Sequence, residues 1–154
     1  MINIYFAHPI ANVSIEEKSH IKNIKDLFLR FNCKLYDPED LVVPNAWGIN
    51  SDEWSQCVFM SDVQHIDECD WVVALDYGRK TTGGTSWEVG YAFGKGKKIL
   101  DVQMKSDVAY SVMVKGCSTN IVTYEDLMKL SATDLSNILV ERGRINKETE
   151  NKYN

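Results

Sequence analysis

Three acids, Asp62, Asp76 and Glu88, stand where reactive carboxylates are expected in this 154-residue chain. Glu88 is the sole acid in the run Thr81-Thr82-Gly83-Gly84-Thr85-Ser86-Trp87-Glu88-Val89-Gly90-Tyr91-Ala92-Phe93-Gly94. The run follows Trp71 to Leu75, an apolar stretch that reads as a buried strand. Strand, Gly/Thr-rich loop and helix start together cradle anionic or polar groups. The Glu88 carboxylate is expected on the first turn of that helix, pointing into the same pocket. Breaking a bond to an anomeric carbon needs one group to trap or stabilise an oxocarbenium-like centre and another to handle the leaving group's proton. A carboxylate pair does both when its environments separate the two pKa values. Glu88, beside Trp87, suits the first task, and Asp62, between Ser61 and Val63, suits the second. Without a ligand, Glu88 would read as a charge on the helix dipole and Asp62 as a solvated surface acid.

The elements that must position these residues alternate between strand and helix signals. Ile2 to Ala7 reads as the first strand, and Ser14 with Glu17 as a capping box opening a helix to about Phe31. Cys33 to Tyr36 is the second strand, stopped by Asp37-Pro38. Residues 38–49 form a loop long enough to cover a site. Asn50 and Glu53 open a helix ending near Cys69, and Trp71 to Asp76 is a central third strand. The Glu88 helix stops at Gly94 and Gly96. Lys98 to Val102 is the fourth strand, Val108 to Lys115 a short helix, and Asn120 to Val122 the fifth strand. Thr123 with Asp126 starts a last helix, broken near Ser131 to Thr133. Repeated units of this kind predict a single-domain α/β fold. Its sheet is a doubly wound, five-stranded, parallel one of order 2-1-3-4-5, flavodoxin- or Rossmann-like. Such sheets bind ligands beyond the carboxyl ends of the strands, at the switch point between strands one and three. Ala7 to Ala11, Asp76 to Thr85 and the loop after the fourth strand belong there.

Composition sets the outer bounds. The chain is 44% hydrophobic and 25% charged, with a net charge of -5. These values fit one globular domain over residues 1–141 with a polar tail at 142–154, and they argue against long nucleic acid as a partner. No apolar run reaches the roughly 20 residues of a membrane helix, and no signal peptide is visible. Cys33, Cys57, Cys69 and Cys117 form no CxxC pair and read as reduced thiols, so a soluble cytoplasmic protein is expected.

The chain resembles the nucleoside 2-deoxyribosyltransferase family. The resemblance rests on Ile4-Tyr5-Phe6-Ala7-His8-Pro9, Ser61-Asp62-Val63-Gln64-His65-Ile66 with Asp70, Gly84 to Ala92, Gly96-Lys97-Lys98-Ile99-Leu100 and, more weakly, Ser111 to Gly116. The Glu88 block is the most specific. The resemblance implies that Glu88 attacks C1′ of a 2′-deoxynucleoside to form a covalent deoxyribosyl-enzyme. A second base, or water, then attacks with net retention. It implies that Asp62 contacts the base and manages its proton, and that Tyr5 orients Glu88. His8, Pro9, Asp76, Thr82, Gly84, Thr85, Trp87, Ser111 and Met113 are the expected substrate contacts. No metal or organic cofactor is implied, and the partners are a deoxynucleoside or deoxynucleotide and a nucleobase. A homo-oligomer, dimer or higher, in which Ser111 completes a neighbour's site, is implied as well.

Two positions divide the family's outcomes. Transferases acting on free nucleosides often carry an aspartate where this chain has Thr82 and an asparagine where it has Ser111. A related branch, the 2′-deoxynucleoside 5′-monophosphate N-hydrolases, uses hydroxyl residues at both places. An aspartate would repel a 5′-phosphate, whereas a hydroxyl can donate to it, and Arg79 and Lys80 could add positive charge. Against this, His8-Pro9-Ile10 is closer to the transferase pattern than to a phosphate-holding Gly-Ser-Ile-Arg-Gly-Gly loop. Transfer between bases is therefore the expected activity, with monophosphate hydrolysis as the alternative. A nucleotide-binding module without turnover is the second alternative. A flavin protein has little support, because the first loop lacks the Ser/Thr-rich phosphate cradle.

Overall fold

The structure, a computed structural model, describes residues 1–78 and 83–140. Its strands are β1 (Ile2–Ala7), β2 (Cys33–Tyr36), β3 (Trp71–Asp76), β4 (Lys98–Gln103) and β5 (Asn120–Thr123). They form one five-stranded sheet in the order β2-β1-β3-β4-β5, every pair parallel. The helices are α1 (Ile15–Leu29), α2 (Ser51–Glu68), α3 (Gly83–Gly94), α4 (Val112–Cys117), α5 (Tyr124–Lys129) and α6 (Ala132–Val140). The doubly wound sheet expected from the sequence is the one observed.

Period-two alternation sends each strand's side chains to two cores. Ile4, Phe6, Trp71, Val73, Leu75, Leu100 and Val102 pack with Ile24 and Phe28 of α1 and with Leu127, Leu135 and Leu139 of α5 and α6. Tyr5, Ala7, Val72, Ala74 and Ile99 pack on the other face with Ile66, Val89, Ala92 and Val114 of α2, α3 and α4. Every residue of β3 is buried, as a central parallel strand requires. Burying a side chain such as Phe28 contributes about 1.5–3 kcal/mol. The Trp71 indole N–H is satisfied by the Leu139 carbonyl at 3.0 Å, which ties α6 to the sheet. All four cysteines are free thiols.

Helix starts follow the capping chemistry. Ser14 Oγ accepts from the Glu17 N–H at 3.1 Å, and Asn50 Oδ1 accepts from the Glu53 N–H at 2.9 Å. The expected break in the last helix falls between Lys129 and Ala132, where Ser131 Oγ accepts from the Asp134 N–H at 3.1 Å. Residues 38–49 carry two short 3-10 turns, Pro38–Asp40 and Ala46–Gly48.

Two expectations need correction. α3 begins at Gly83, so Glu88 lies on its second turn rather than its first, and the two glycines are helix rather than loop. α4 spans Val112–Cys117, not Val108 to Lys115. Asp107, the residue before the expected start, adopts a left-handed φ of 57°, and the helix opens only where Ser111 Oγ accepts from the Val114 N–H. The segment before α4 is also pinned. Gly78 has φ +68°, and a Cβ there would lie 2.8 Å from both the Ala109 carbonyl oxygen and Val108 Cγ2. Only glycine fits this close approach between the loops after β3 and β4.

Candidate active site

β1, α2 and α3 bring Tyr5, Asp62 and Glu88 together on one face of the sheet. Tyr5 is fully buried. Its hydroxyl lies near enough to interact with both carboxylates, yet neither it nor Glu88 Oε2 closes a hydrogen bond of good geometry. Burial, and then the Glu88 charge, push the Tyr5 phenol far above its ordinary range, so it is a permanent donor. Burial pushes Glu88 up to about 7; Asp62's charge adds to this, while the Tyr5 hydroxyl and the His8 charge oppose it. Asp62 is also raised, because burial outweighs the Tyr36 and Tyr5 hydroxyls and the charge of His65. Two neighbouring acids whose pKa values are both raised, Glu88 to about 7, with a neutral donor beside them, can divide nucleophilic and proton-transfer work.

A raised carboxylate opposes folding once it ionises. Below the usual Glu range both folded and unfolded chains hold the proton, and Glu88 has no effect. Between about 4.5 and about 7 the unfolded chain ionises first and stability falls. Above that window the penalty is constant, at about 3 kcal/mol or less. Glu88→Gln is therefore expected to melt several degrees above the parent at pH 8 and to match it at pH 4, as read by calorimetry across that range.

Tyr36, which the sequence analysis overlooked, buttresses Asp62. Its hydroxyl shares a hydrogen bond with Ser61 Oγ at 3.1 Å and donates to Asp62 Oδ1 at 3.4 Å. Its ring stacks on His65, centroids 3.5 Å apart, and lies 5.6 Å from the Tyr5 ring. A tyrosine closing the strand beside β1, at the carboxyl end of the sheet, was the available signal.

His8 and Pro9 follow β1 and are buried. His8 Nε2 meets Asp37 Oδ1 at 2.7 Å, and its Nδ1 meets the Pro9 carbonyl at 3.0 Å. Lys25 Nζ donates to Asp37 Oδ2 and to Asp40 Oδ2, each at 2.8 Å. Burial works against the Asp37 charge, but the hydrogen bonds from His8 and Lys25 win and draw its carboxyl down to about 2. Donor atoms of His8, Asp37 and Glu39 lie within 4.8 Å of one another. Two cations already occupy the Asp37 oxygens, so the cluster is an ion-pair network that would repel a metal.

Asp76 ends β3, is buried, and accepts the Gly78 N–H through Oδ1 at 2.9 Å. It faces Asp101 of β4, an acid set in the apolar run Ile99 to Val102 that the sequence analysis also missed. Burial first and the Asp76 charge second push the Asp101 carboxyl upward.

The remaining candidates divide. Thr85 is buried in the first turn of α3, and Gly84 beside it is exposed. The Trp87 ring stacks on Tyr91 at 5.3 Å and meets Phe59 edge-on at 5.3 Å. It belongs to an aromatic ladder joining α2 and α3, on a bearing about 100° from Glu88. Ser111 and Met113 line a separate groove of about 490 Å³ between α3 and α4, with Val89, Phe93 and Val112. Thr82, Arg79, Lys80 and the tail from 142 lie outside the described residues.

The profile of the family described as nucleoside 2-deoxyribosyltransferase matches residues 4–140. Among solved structures, a 2-deoxyribosyltransferase from the psychrotolerant bacterium Bacillus psychrosaccharolyticus superposes with a TM-score of 0.70 at 20% identity. The match covers 86% of this chain and 95% of that one. A conserved protein from Enterococcus faecalis V583 matches with a TM-score of 0.68 at 20% identity, over 84% of this chain and 96% of that one. The CMP N-glycosidase BcmB of Clostridium botulinum gives 0.56 at 17% identity, over 82% and 96%. A search of curated proteins found no match. No helix among the described residues is long and apolar enough to cross a membrane.

Proposed function

The chain belongs to the nucleoside 2-deoxyribosyltransferase family, and from that premise we propose that it moves 2-deoxyribose between nucleobases through Glu88. The observation that carries this reading is the convergence of Tyr5, Asp62 and Glu88, with Glu88 held near neutrality by its surroundings. In the forward step a Glu88 oxygen attacks C1′ and the C1′–N bond breaks. Its electron pair leaves with the base, which takes a proton from Asp62. The result is a deoxyribosyl ester of Glu88. A ring nitrogen of a second base then attacks C1′ from the vacated face, Asp62 recovers a proton, and the Glu88 carboxylate departs. Two inversions give net retention. Tyr5 keeps its proton throughout and steers the Glu88 oxygen. His8, Pro9, Asp76, Gly84, Thr85, Trp87, Ser111 and Met113 are the proposed surroundings of the substrate.

A hydrolase acting on 5′-monophosphates is the second reading, favoured by Thr82 where an aspartate would repel phosphate. The assay supplies a deoxynucleoside or its 5′-monophosphate, each with and without free acceptor base. Base-dependent exchange on the nucleoside supports transfer. Free base released from the monophosphate alone supports the hydrolase. Binding without product from either substrate removes both readings and leaves the non-catalytic module.

The groove between α3 and α4 is the proposed subunit contact. Val112 and Met113 are 79% and 78% exposed, and Phe93 is 51% exposed. Contiguous apolar exposure of this kind marks an association surface. Ser111 on its rim supports the expectation that one copy completes its neighbour's site. Met113→Glu is expected to lower the mass seen by light scattering to that of a monomer and to reduce turnover with it. An unchanged mass, or a parent chain that is already monomeric, sinks this assembly.

A further inference from the structure

Tyr5 has one hydroxyl proton and two carboxylates to serve, Glu88 and Asp62. Once both acids are ionised it can serve only one of them. A second phenol stands on the Asp62 side. Tyr36 closes β2, the strand paired with β1, and its ring centroid lies 5.6 Å from that of Tyr5. Its hydroxyl reaches Asp62 Oδ1 at 3.4 Å and Ser61 Oγ at 3.1 Å. One proton cannot point both ways. Beside an Asp62 carboxylate, which only accepts, the phenol donates to Asp62 and accepts from Ser61. Beside a protonated Asp62, which carries a proton of its own, the phenol is released to donate to Ser61 Oγ. The direction of this short chain is therefore set by the charge on Asp62.

We propose that Tyr36 is a positioning residue for the Asp62 proton: its hydroxyl turns from Ser61 to Asp62 Oδ1 as Asp62 protonates the departing base, and this leaves the Tyr5 hydroxyl to Glu88. The role rests on the reading of Asp62 as the proton donor. Tyr36 touches no reacting atom and keeps its own proton. The Asp62 proton goes to the base nitrogen that receives the C1′–N electron pair, and Asp62 is left with a full negative charge. The hydrogen bond from Tyr36 then becomes charge-assisted, and such bonds are about twice as strong as neutral ones. A contact that strengthens as the bond breaks speeds the chemical step, whereas one equally strong before and after does not. At 3.4 Å the contact is long, as suits an acid that holds its proton, and a charged acceptor would draw it to about 2.5–2.7 Å.

The surroundings hold the ring and leave the hydroxyl hydrogen to rotate. His65, one turn beyond Asp62 on α2, stacks on Tyr36 with centroids 3.5 Å apart at an interplanar angle of 9°. The His65 ring is fixed in turn through Nδ1, which donates to the Ser61 carbonyl at 2.7 Å. A carbonyl only accepts, so that nitrogen carries a proton. The titratable and charged groups that face Asp62 are Tyr5 of β1, Tyr36 of β2, His65 of its own helix and Glu88 of α3. Burial opposes its ionisation and outweighs the two phenols and the His65 charge that favour it, and an ionised Glu88 sides with burial. Tyr36 itself does not ionise near neutrality, because burial and the Asp62 charge outweigh the Ser61 hydrogen bond and hold the phenol above its ordinary range.

The test is nuclear magnetic resonance on the full chain without added nucleoside, followed by turnover. Aspartate carboxyl carbons and tyrosine Cζ are labelled, and Tyr36 is assigned through its ring contact with His65. Its resonance is expected to step at the pH where Asp62 titrates and to lose that step in Asp62→Asn. Tyr36→Phe keeps both ring contacts and deletes the hydroxyl, and there the Asp62 midpoint is expected to rise by about one unit. In turnover, Tyr36→Phe should lose about tenfold in kcat on an ordinary deoxynucleoside, with KM little changed. On a substrate whose base departs readily as an anion it should match the parent. A Tyr36 resonance indifferent to the Asp62 titration overturns the proposal. So does a step that persists in Asp62→Asn, since it then belongs to the stacked His65. The first of these is read on the parent chain and holds even where Tyr36→Phe fails to fold. In a folded Tyr36→Phe, an unmoved Asp62 midpoint, or an equal loss on good and poor leaving groups, overturns it as well. If Asp62→Asn itself shows no dependence on the leaving group, the reading of Asp62 as proton donor is what has failed, and the spectra still show whether Tyr36 follows its charge.

Discussion

Glu88→Ala is expected to reduce turnover by at least about a thousandfold while the chain remains folded. The size of the loss follows from the chemistry. Without the carboxylate the sugar has no covalent resting place between the two bases, and the reaction must pass through a free oxocarbenium-like species in a crevice built for an ester. What remains is orientation and the proton supplied by Asp62. The fold should survive because the residue is a destabilising acid, not a core contact: its Oε2 is buried without a hydrogen bond of its own. Steady-state assays of parent and variant, with circular dichroism to check folding, decide the matter. A variant within about tenfold of the parent would remove Glu88 from the bond-breaking step. Mass spectrometry adds an independent view. With the parent, a deoxyribosyl adduct should be trapped on the peptide containing residue 88, and with the variant it should be absent.

Asp62→Asn should cost about a hundredfold in kcat on an ordinary deoxynucleoside, in the range typical of a lost general acid. Asparagine preserves the shape and can still meet the Tyr36 hydroxyl, so the binding contribution to KM should change little. The diagnostic is the leaving group. A base that departs readily as an anion needs no proton, and on such a substrate the variant should regain most of the parent rate. A loss of equal size for good and poor leaving groups would make Asp62 a structural partner of Tyr36 and Tyr5 and not a proton donor. The acid limb offers a second check. Asp62 opposes ionisation of Glu88, so neutralising it should move that limb to lower pH even as the plateau falls.

Much of this architecture was legible in the residues. β3 could be placed at the centre because Trp71 to Leu75 is apolar on both faces, a pattern only a doubly covered strand sustains. The strand order and the crevice followed from the alternation of strands and helices, whereas the grouping of Tyr5 with Asp62 and Glu88 came from the family resemblance. What escaped notice has physical causes. The start of α4 is set by a left-handed Asp107 and a serine cap, while the apolar residues from Val108 onward mimic helical spacing. Gly83 and Gly84 read as loop because glycine disfavours helix, yet at a helix's first turn that penalty is small. Tyr36 and Asp37 passed as a strand end followed by a stop signal, although their side chains buttress Asp62 and hold His8. Asp101 was hidden inside an apolar run. An acid at that kind of position, with burial on both sides, is a signal worth reading in its own right.

The bare backbone at Gly78 has a consequence for how the crevice keeps its width. The segment leading into α4 rests directly on main-chain atoms of the segment leaving β3. Spacing between the two rims is thereby set by a contact that involves no rotamer at residue 78. Side chains other than Val108 can be exchanged on the α4 rim, and ligand preference retuned, without loosening the contact at Gly78. That contact is open only to a residue that carries no side chain.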